Sequence, residues 1–440
     1  MKFRISLIYF CFVLQEATSF QSASFGPRTI SFVPHENYIQ KTTLLNGWIQ
    51  DENGEWIWED EVMGGAAPVA VAESSTCSTD IIDASSVQDK ATPQIPSGKF
   101  KPKQSLGQNF LRDGNTVGKI VRTFAKDASE TIQEDTSKHN KKSWEQPGVR
   151  PVELGPGPGA LTGTLVDLFG QENLQCIEID DRAVELLGSE FPKLRVRHQD
   201  VLQVDYPEMA MEEGGPLSVI GNLPYYITSQ ILFALADASQ FGAVRSATVT
   251  MQWEVAQRIV APVKCKDYGI LSVVFQLYAD CKVHFKIPPT VFYPQPKVDS
   301  ALVGIRFVGP ETLRQRLAGV NPRDVRKLLN RIYQQRRKTV RNSLKKLVMD
   351  MYGKEKGKEI LDSPPLDLPK SVRQRQEEGD EFALSQELPK DWAKLRPEEL
   401  SPGQTVELTR LIFGENQLKD GVSIPWDTKV WRKLKHGANN

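Results

Sequence analysis

The sequence predicts an α/β fold, a doubly wound and mostly parallel sheet, with a small all-helical domain following it. Two observations predict the sheet. Between about 149 and 308, short apolar runs alternate with helical patterns, the mark of βαβ units whose helices cover both sheet faces. A glycine-rich turn follows the first of these runs, at the strand end where open α/β sheets bind ligands. A third observation predicts the helical domain: from Arg323 to Lys346, apolar residues recur at helical spacing among ten basic residues and one acid.

The predicted strands, in order, are Pro151 to Leu154, Gln175 to Ile179, Leu194 to His198, Pro216 to Ile220 and Ala247 to Gln252. After the first comes Glu153-Leu154-Gly155-Pro156-Gly157-Pro158-Gly159, where Gly155 and Gly157 let the backbone approach a ligand closely. The second strand ends near Glu178, twenty-three residues beyond Gly155, where a carboxylate can accept hydrogen bonds from both hydroxyls of a ribose. Asp200 closes the third and is placed to accept from an adenine amine. This set suits a nucleoside cofactor, and a dinucleotide would use the same residue types.

The fourth strand separates the two. It runs into Asn222-Leu223-Pro224-Tyr225-Tyr226, at the position where a transferable group would lie. The exocyclic amine of adenine is a poor nucleophile because its lone pair is delocalised into the ring. If the Asn222 side-chain oxygen and the Leu223 carbonyl accept the two amine protons, that lone pair turns toward an incoming methyl. Pro224 fixes the turn, and Tyr225 offers a stacking face.

With these residues assembled, the sequence resembles the KsgA-type small-subunit rRNA adenine dimethyltransferases, closely from Lys99 to about Lys346 and more weakly to about Phe413. The resemblance implies a Rossmann-like class I methyltransferase domain using S-adenosylmethionine. Ser105-Leu106-Gly107-Gln108-Asn109-Phe110-Leu111 is similar to a family motif whose equivalents of Asn109 and Leu111 contact the cofactor, as do those of Gly155, Glu178, Asp200 and Asn222. Val291 to Ser300 resembles the loop in which the equivalent of Phe292 sandwiches the target base against Tyr225. Aromatic stacking of that kind contributes about 1 to 3 kcal/mol per base. The implied targets are two adjacent adenosines near the 3′ end of small-subunit rRNA.

In the basic segment, Asn321 is the expected N-cap, Pro322 the first helical residue, and Gln334-Gln335 a break before a second helix. Gln335 to Leu344 resembles the family's helical domain, which assigns phosphate contact to Arg336, Arg337, Lys338 and Arg341. Such contacts position RNA without reading its bases.

The remaining organisation follows from composition. The 440 residues carry a net charge of zero, but 51 to 90 hold ten acids against Lys90 alone, so the rest is about nine charges positive. Lys2, Arg4, the apolar run Ile5 to Leu14 and the Ala17-Thr18-Ser19-Phe20 junction read as an address, too short to span a bilayer. Residues 20 to 50 contain one acid, Glu36, as transit peptides do. The junction resembles the two-part presequence of secondary plastids, which favours a plastid over a mitochondrion.

The expected organisation is presequence 1–50, acidic disordered linker 51–98 with a tryptophan cluster, methyltransferase domain 99–308, helical RNA-binding domain 309–415 and tail 416–440. Lys126 to Gly148 reads as a loop insertion, and Ser363 to Pro389 as a polar, proline-rich stretch. The five cysteines, at 11, 77, 176, 265 and 281, lack metal-site spacing, so free thiols and no metal are expected. The expected partner is rRNA in a pre-ribosomal particle, bound by a monomer with no membrane contact.

Overall fold

The computed structural model describes residues 48–50, 56–58, 84, 87, 101–137 and 148–414. Two compact units divide the chain, and the larger spans Pro68–Val422. In the smaller, β1 (Trp48–Gln50) pairs antiparallel with β2 (Trp56–Trp58), Trp48 opposite Trp58. Trp48, Trp56 and Trp58 thus lie on two paired antiparallel strands. The expected presequence before Trp48, the expected tail after Gly414 and most of the acidic segment lie outside the described residues.

In the larger unit β3 (Phe110–Leu111) precedes α1 (Gly114–Ser137). The sheet then grows as β4 (Pro151–Leu154), α2 (Thr162–Phe169), β5 (Gln175–Glu178), α3 (Asp181–Glu190) and β6 (Arg195–His198). Next come α4 (Tyr206–Glu212), β7 (Leu217–Asn222), α5 (Thr228–Ser239), β8 (Val244–Gln252), α6 (Trp253–Ile259) and α7 (Ile270–Tyr278). β9 (Ala279–Ile287), β10 (Phe292–Tyr293) and β11 (Ser300–Phe307) follow.

The seven-stranded order is β6-β5-β4-β7-β8-β11-β9, parallel from β6 through β8 and antiparallel at β11 and β9. β4 and β5 are buried at all eight positions, as central parallel strands covered on both faces must be. All five predicted strands are present, with β8 starting at Val244 and β7 running on to Asn222. The antiparallel pair had no counterpart among the expected strands.

α1 corrects the reading of Lys126 to Gly148 as a loop, because the helix continues to Ser137. Val117, Ile120, Val121, Phe124 and Ala128 form one buried stripe, and Lys126 pairs with Glu130 one turn later. Lys126 and Glu130 lie on the exposed face of that helix, and residues 138–147 lie outside the described residues. Its start is fixed by Asp113, whose carboxylate accepts the Thr116 N–H at 2.8 Å.

After β11 the described chain is helical: α8 (Gly309–Arg316), α9 (Pro322–Tyr333), α10 (Val340–Tyr352), α11 (Lys354–Asp362), α12 (Lys370–Glu377) and α13 (Pro402–Phe413). Asn321 caps α9 by accepting the Arg323 N–H at 2.9 Å, and Gln334 to Lys338 separates α9 from α10. α12 lies inside the stretch read as merely polar and proline-rich. Val325, Leu328, Leu329, Ile332, Leu344 and Val348 join the same apolar core as β7 and β8. Among the described residues no helix is long and apolar enough to cross a membrane, and no three His, Cys, Asp or Glu side chains could hold a metal.

Candidate active site at the carboxyl edge of the sheet

The turn after β4 is built as its glycines suggest. Gly155 and Gly157 have φ of 63° and 55°, in the left-handed region that favours glycine, and Gly155 N–H donates to Ile177 O at 2.9 Å. A Cβ at Gly155 would meet nothing within 4 Å, whereas at Gly157 it would press on the Phe110 ring at 3.0 Å. Space beside Gly155 is open for a ligand.

Below this turn sits Glu153, a strand residue to which the sequence pattern assigns no role. Its carboxyl is buried and accepts from Thr162 Oγ1 at 2.7 Å; burial raises its pKa from 4.5 to about 7. Burial likewise pushes up the adjacent Cys176 thiol.

Glu178 ends β5 as predicted, and its carboxylate is already engaged by the backbone. Oε1 accepts N–H groups from Ile179 and Asp180, each at 2.8 Å, and Oε2 accepts from Gly157 at 2.9 Å. Of its roughly four lone-pair sites, one remains. A grip on both ribose hydroxyls requires Glu178 to release a backbone amide.

Two residues on, Asp180 anchors a network that reaches back to the start of the domain. Its side chain is inaccessible to solvent, with Oδ2 accepting from Arg182 Nη2 at 2.6 Å and Gln108 Nε2 at 2.9 Å, and Oδ1 from Lys103 Nζ and Arg182 Nε at 3.0 Å. Arg182, then Gln108 and Lys103, hold its carboxyl well below the usual carboxylate range against the opposing effect of burial. Asp180 thus fastens the 103–108 segment over the strand ends. Asp200, at the end of the third predicted strand, uses Oδ1 for the Leu202 N–H at 2.9 Å.

The segment so fastened supplies one side of the Asn222 environment. Asn222 Nδ2 donates to the backbone oxygen of Asn109 at 2.7 Å, and Asn222 Oδ1 accepts from Thr250 Oγ1 at 2.5 Å. A carbonyl can only accept, so the nitrogen must face Asn109 and the orientation of the amide is chemically fixed. Leu223 N–H donates to Thr250 O at 3.2 Å, and Pro224 O accepts from Ile227 N and Thr228 Oγ1. Tyr225 is half-buried with its hydroxyl 2.5 Å from Ser300 Oγ, and burial raises its pKa.

Hydrogen bonds join Asn222 to Asn109 and Gly157 to Glu178, and the Gln108–Asp180 contact links the two segments, but the structure treats Leu111 and Phe292 differently. Both are 1% exposed, and they lie opposite each other where β3 pairs with β10. Phe292 belongs to the core beside Val117 and Ile120, so in this conformation it offers no face to a base and makes no sandwich with Tyr225. The exposed rings are its neighbour Tyr293 and the residue after Tyr225, Tyr226, whose ring covers Gly107. Alternation along β10 turns position 293 outward when 292 turns in, which the sequence alone did not reveal.

The four basic residues divide equally. Arg337 and Lys338 are exposed at the turn between α9 and α10. Arg336 donates to Lys266 O at 3.0 Å, and Arg341 is paired with Asp362 at 2.5 Å. The first pair is available to phosphate, while the second also braces the turn.

The residues fit S-adenosylmethionine by donor chemistry: an open glycine turn, two carboxylates at successive strand ends and an oriented amide. The sequence profile of the family described as ribosomal RNA adenine dimethylase matches residues 99–367. The ribosomal RNA small subunit methyltransferase A of Salinibacter ruber is 44% identical over 259 residues, 59% of this chain and 78% of that one. Its counterpart from Prosthecochloris aestuarii is 38% identical over 243 residues, 55% and 81% of the two chains. A crystal structure of a dimethyladenosine transferase from Plasmodium falciparum aligns with TM-score 0.46 and 20% identity, over 68% of this chain and 95% of that one.

Proposed function

Because the chain belongs to the ribosomal RNA adenine dimethylase family, we propose that it dimethylates the exocyclic amine of two adjacent adenosines near the 3′ end of small-subunit rRNA, using S-adenosylmethionine. The observation that carries this reading is the Asn222 amide, fixed at the end of β7 with its nitrogen turned toward Asn109 O. That orientation leaves Oδ1 as the acceptor a flipped-out adenine needs.

S-adenosylmethionine, when bound, supplies an electrophilic sulfonium methyl. Gly155, Gly157, Glu178 and Asp200 would hold its nucleoside, with Asn109 closing the side formed by the 101–111 segment and Leu111 buried behind it. Asn222 Oδ1 and the Leu223 carbonyl accept hydrogen bonds from the two N–H groups of the target amine, and after the methyl has transferred the cationic nitrogen loses one proton to solvent. Neutral oxygens suffice because the amine needs holding and orienting rather than prior deprotonation. Tyr225 packs against the extruded base, which must leave its stack to reach this depth. Arg337 and Lys338 take the RNA backbone.

The substrate form we favour is a pre-ribosomal particle, since phosphate contacts alone do not select a sequence. The address-like first 50 residues support a plastid, and a fluorescent fusion of residues 1–98 tests that, with mitochondrial signal as the contrary outcome. For the activity, the purified protein is mixed with labelled cofactor and small subunits lacking the modification. Labelled dimethyladenosine is expected. Its absence with cofactor bound would leave a non-catalytic assembly or transcription factor of the same fold.

A further inference from the structure

β8 carries Ser246, Thr248 and Thr250 on one face, at the two-residue spacing of a strand, and all three are buried. Two of these hydroxyls serve the fold: Ser246 Oγ donates to Ser218 Oγ at 3.3 Å, and Thr248 Oγ1 donates to Asp127 Oδ2 at 2.8 Å. The third touches the reacting apparatus. Thr250 is 0% exposed, its hydroxyl donates to Asn222 Oδ1, and its carbonyl accepts the Leu223 N–H.

We propose that Thr250 is a positioning residue for methyl transfer, holding through one residue both acceptors that orient the target amine. The inference rests on the reading of Asn222 and Leu223 as those acceptors. An asparagine side-chain amide has a broad, two-fold terminal torsion, so contact at its nitrogen alone leaves the oxygen free to swing. The Asn109 carbonyl holds the nitrogen and the Thr250 hydroxyl holds the oxygen, which sets the amide plane from both ends.

The Thr250 hydroxyl occupies one of the two lone pairs on Oδ1, leaving the other for the amine. Donation from Nδ2 to Asn109 O polarises the amide and strengthens Oδ1 as an acceptor. Meanwhile the Thr250 carbonyl fixes the peptide whose next oxygen is the Leu223 acceptor. Valine at this position would keep the volume and the β-branch but remove only the hydroxyl contact.

The test compares Thr250→Val, Thr250→Ser and Thr248→Val in the full-length protein, with dimethyladenosine formation on unmodified small subunits and cofactor affinity by calorimetry as readouts. Thr250→Val is expected to lower kcat about 10- to 100-fold, as a small misplacement of a reacting group does, with cofactor Kd within about 3-fold because Asn109 still holds the amide nitrogen. Thr250→Ser should restore kcat, and Thr248→Val, losing a hydroxyl from the same face, should lower thermal stability without lowering kcat. Should the valine variant not fold, Thr250→Ala reads the same split. Wild-type kcat in Thr250→Val, or equal losses in the valine and serine variants, overturns the proposal. A wild-type protein that binds cofactor and makes no dimethyladenosine instead defeats the parent reading of the site, and this one with it.

Discussion

The ends of β5 and β7 lie on the same edge of one sheet and are held by different forces. At β5, Asp180 is a buried carboxylate clasped by Arg182, Gln108 and Lys103, and Glu178 accepts three backbone N–H groups. At β7, Asn222 is neutral and is held by a carbonyl and a hydroxyl. The contrast separates two tasks. Under the proposed function, charge would fasten the wall of the cofactor side, whereas uncharged dipoles would orient the amine, where a positive charge appears on nitrogen and must be free to shed a proton.

Asn222→Ala breaks the neutral side outright. Turnover should fall about 10²- to 10³-fold, the usual cost of removing one oriented polar group, with RNA affinity retained in a filter-binding assay. Unchanged methylation would show that the amine is oriented elsewhere. The charged side has its own internal contrast, since Glu153 is raised to about 7 by burial while Asp180 is depressed by its partners.

For Glu153 the folded pKa exceeds the unfolded value, so its stabilising contribution is complete below about pH 4.5 and is lost as pH rises through about 7. Glu153→Gln should flatten the decline in urea stability between pH 5 and 8, by up to about 3 kcal/mol. An unchanged profile would place the titration elsewhere. For Asp180 the folded pKa is lowered, so its contribution is present above the ordinary aspartate range and fades only as pH falls through the folded value. Asp180→Asn should therefore cost stability equally at pH 6 and 8, about 1 to 3 kcal/mol, and weaken cofactor binding in the same titrations. Full cofactor affinity in that variant would mean that the 103–108 segment is fixed without it.

The smallest effect is expected farthest from both strand ends. Replacing the exposed Arg337 and Lys338 together with alanine should weaken RNA binding at low salt and lower the salt-dependence slope by about 1 to 2. Arg341→Ala should change the slope less, since Asp362 already competes for that guanidinium. Equal slopes for both variants would indicate that phosphate displaces Asp362.

Asn222 was legible because four strand ends in order, each with its own residue type, define a ligand outline that a single motif does not. Asp180 was not, because its partners Lys103 and Gln108 stand more than seventy positions earlier and nothing local marks the contact. Thr250 looked like an ordinary β-branched residue in a buried strand, and only the pairing of Asn222 with Thr250 gives its hydroxyl a partner. The inward turn of Phe292 depends on which face of a two-residue strand meets α1, a choice with no periodic signal. The second half of α1 reads as a loop in sequence because it is polar, although Ala128 continues the apolar stripe.

The short ladder between β3 and β10 joins residues 110–111 to residues 292–293. A shortened enzyme beginning at Asp113 would keep every strand of the seven-stranded sheet and all its crossovers, yet would give up the Asn109 carbonyl, the Lys103 and Gln108 contacts to Asp180 and the strand partner of Phe292. A fragment that keeps these contacts must therefore begin upstream of Lys103, and a deletion series read by circular dichroism alone would overlook the loss.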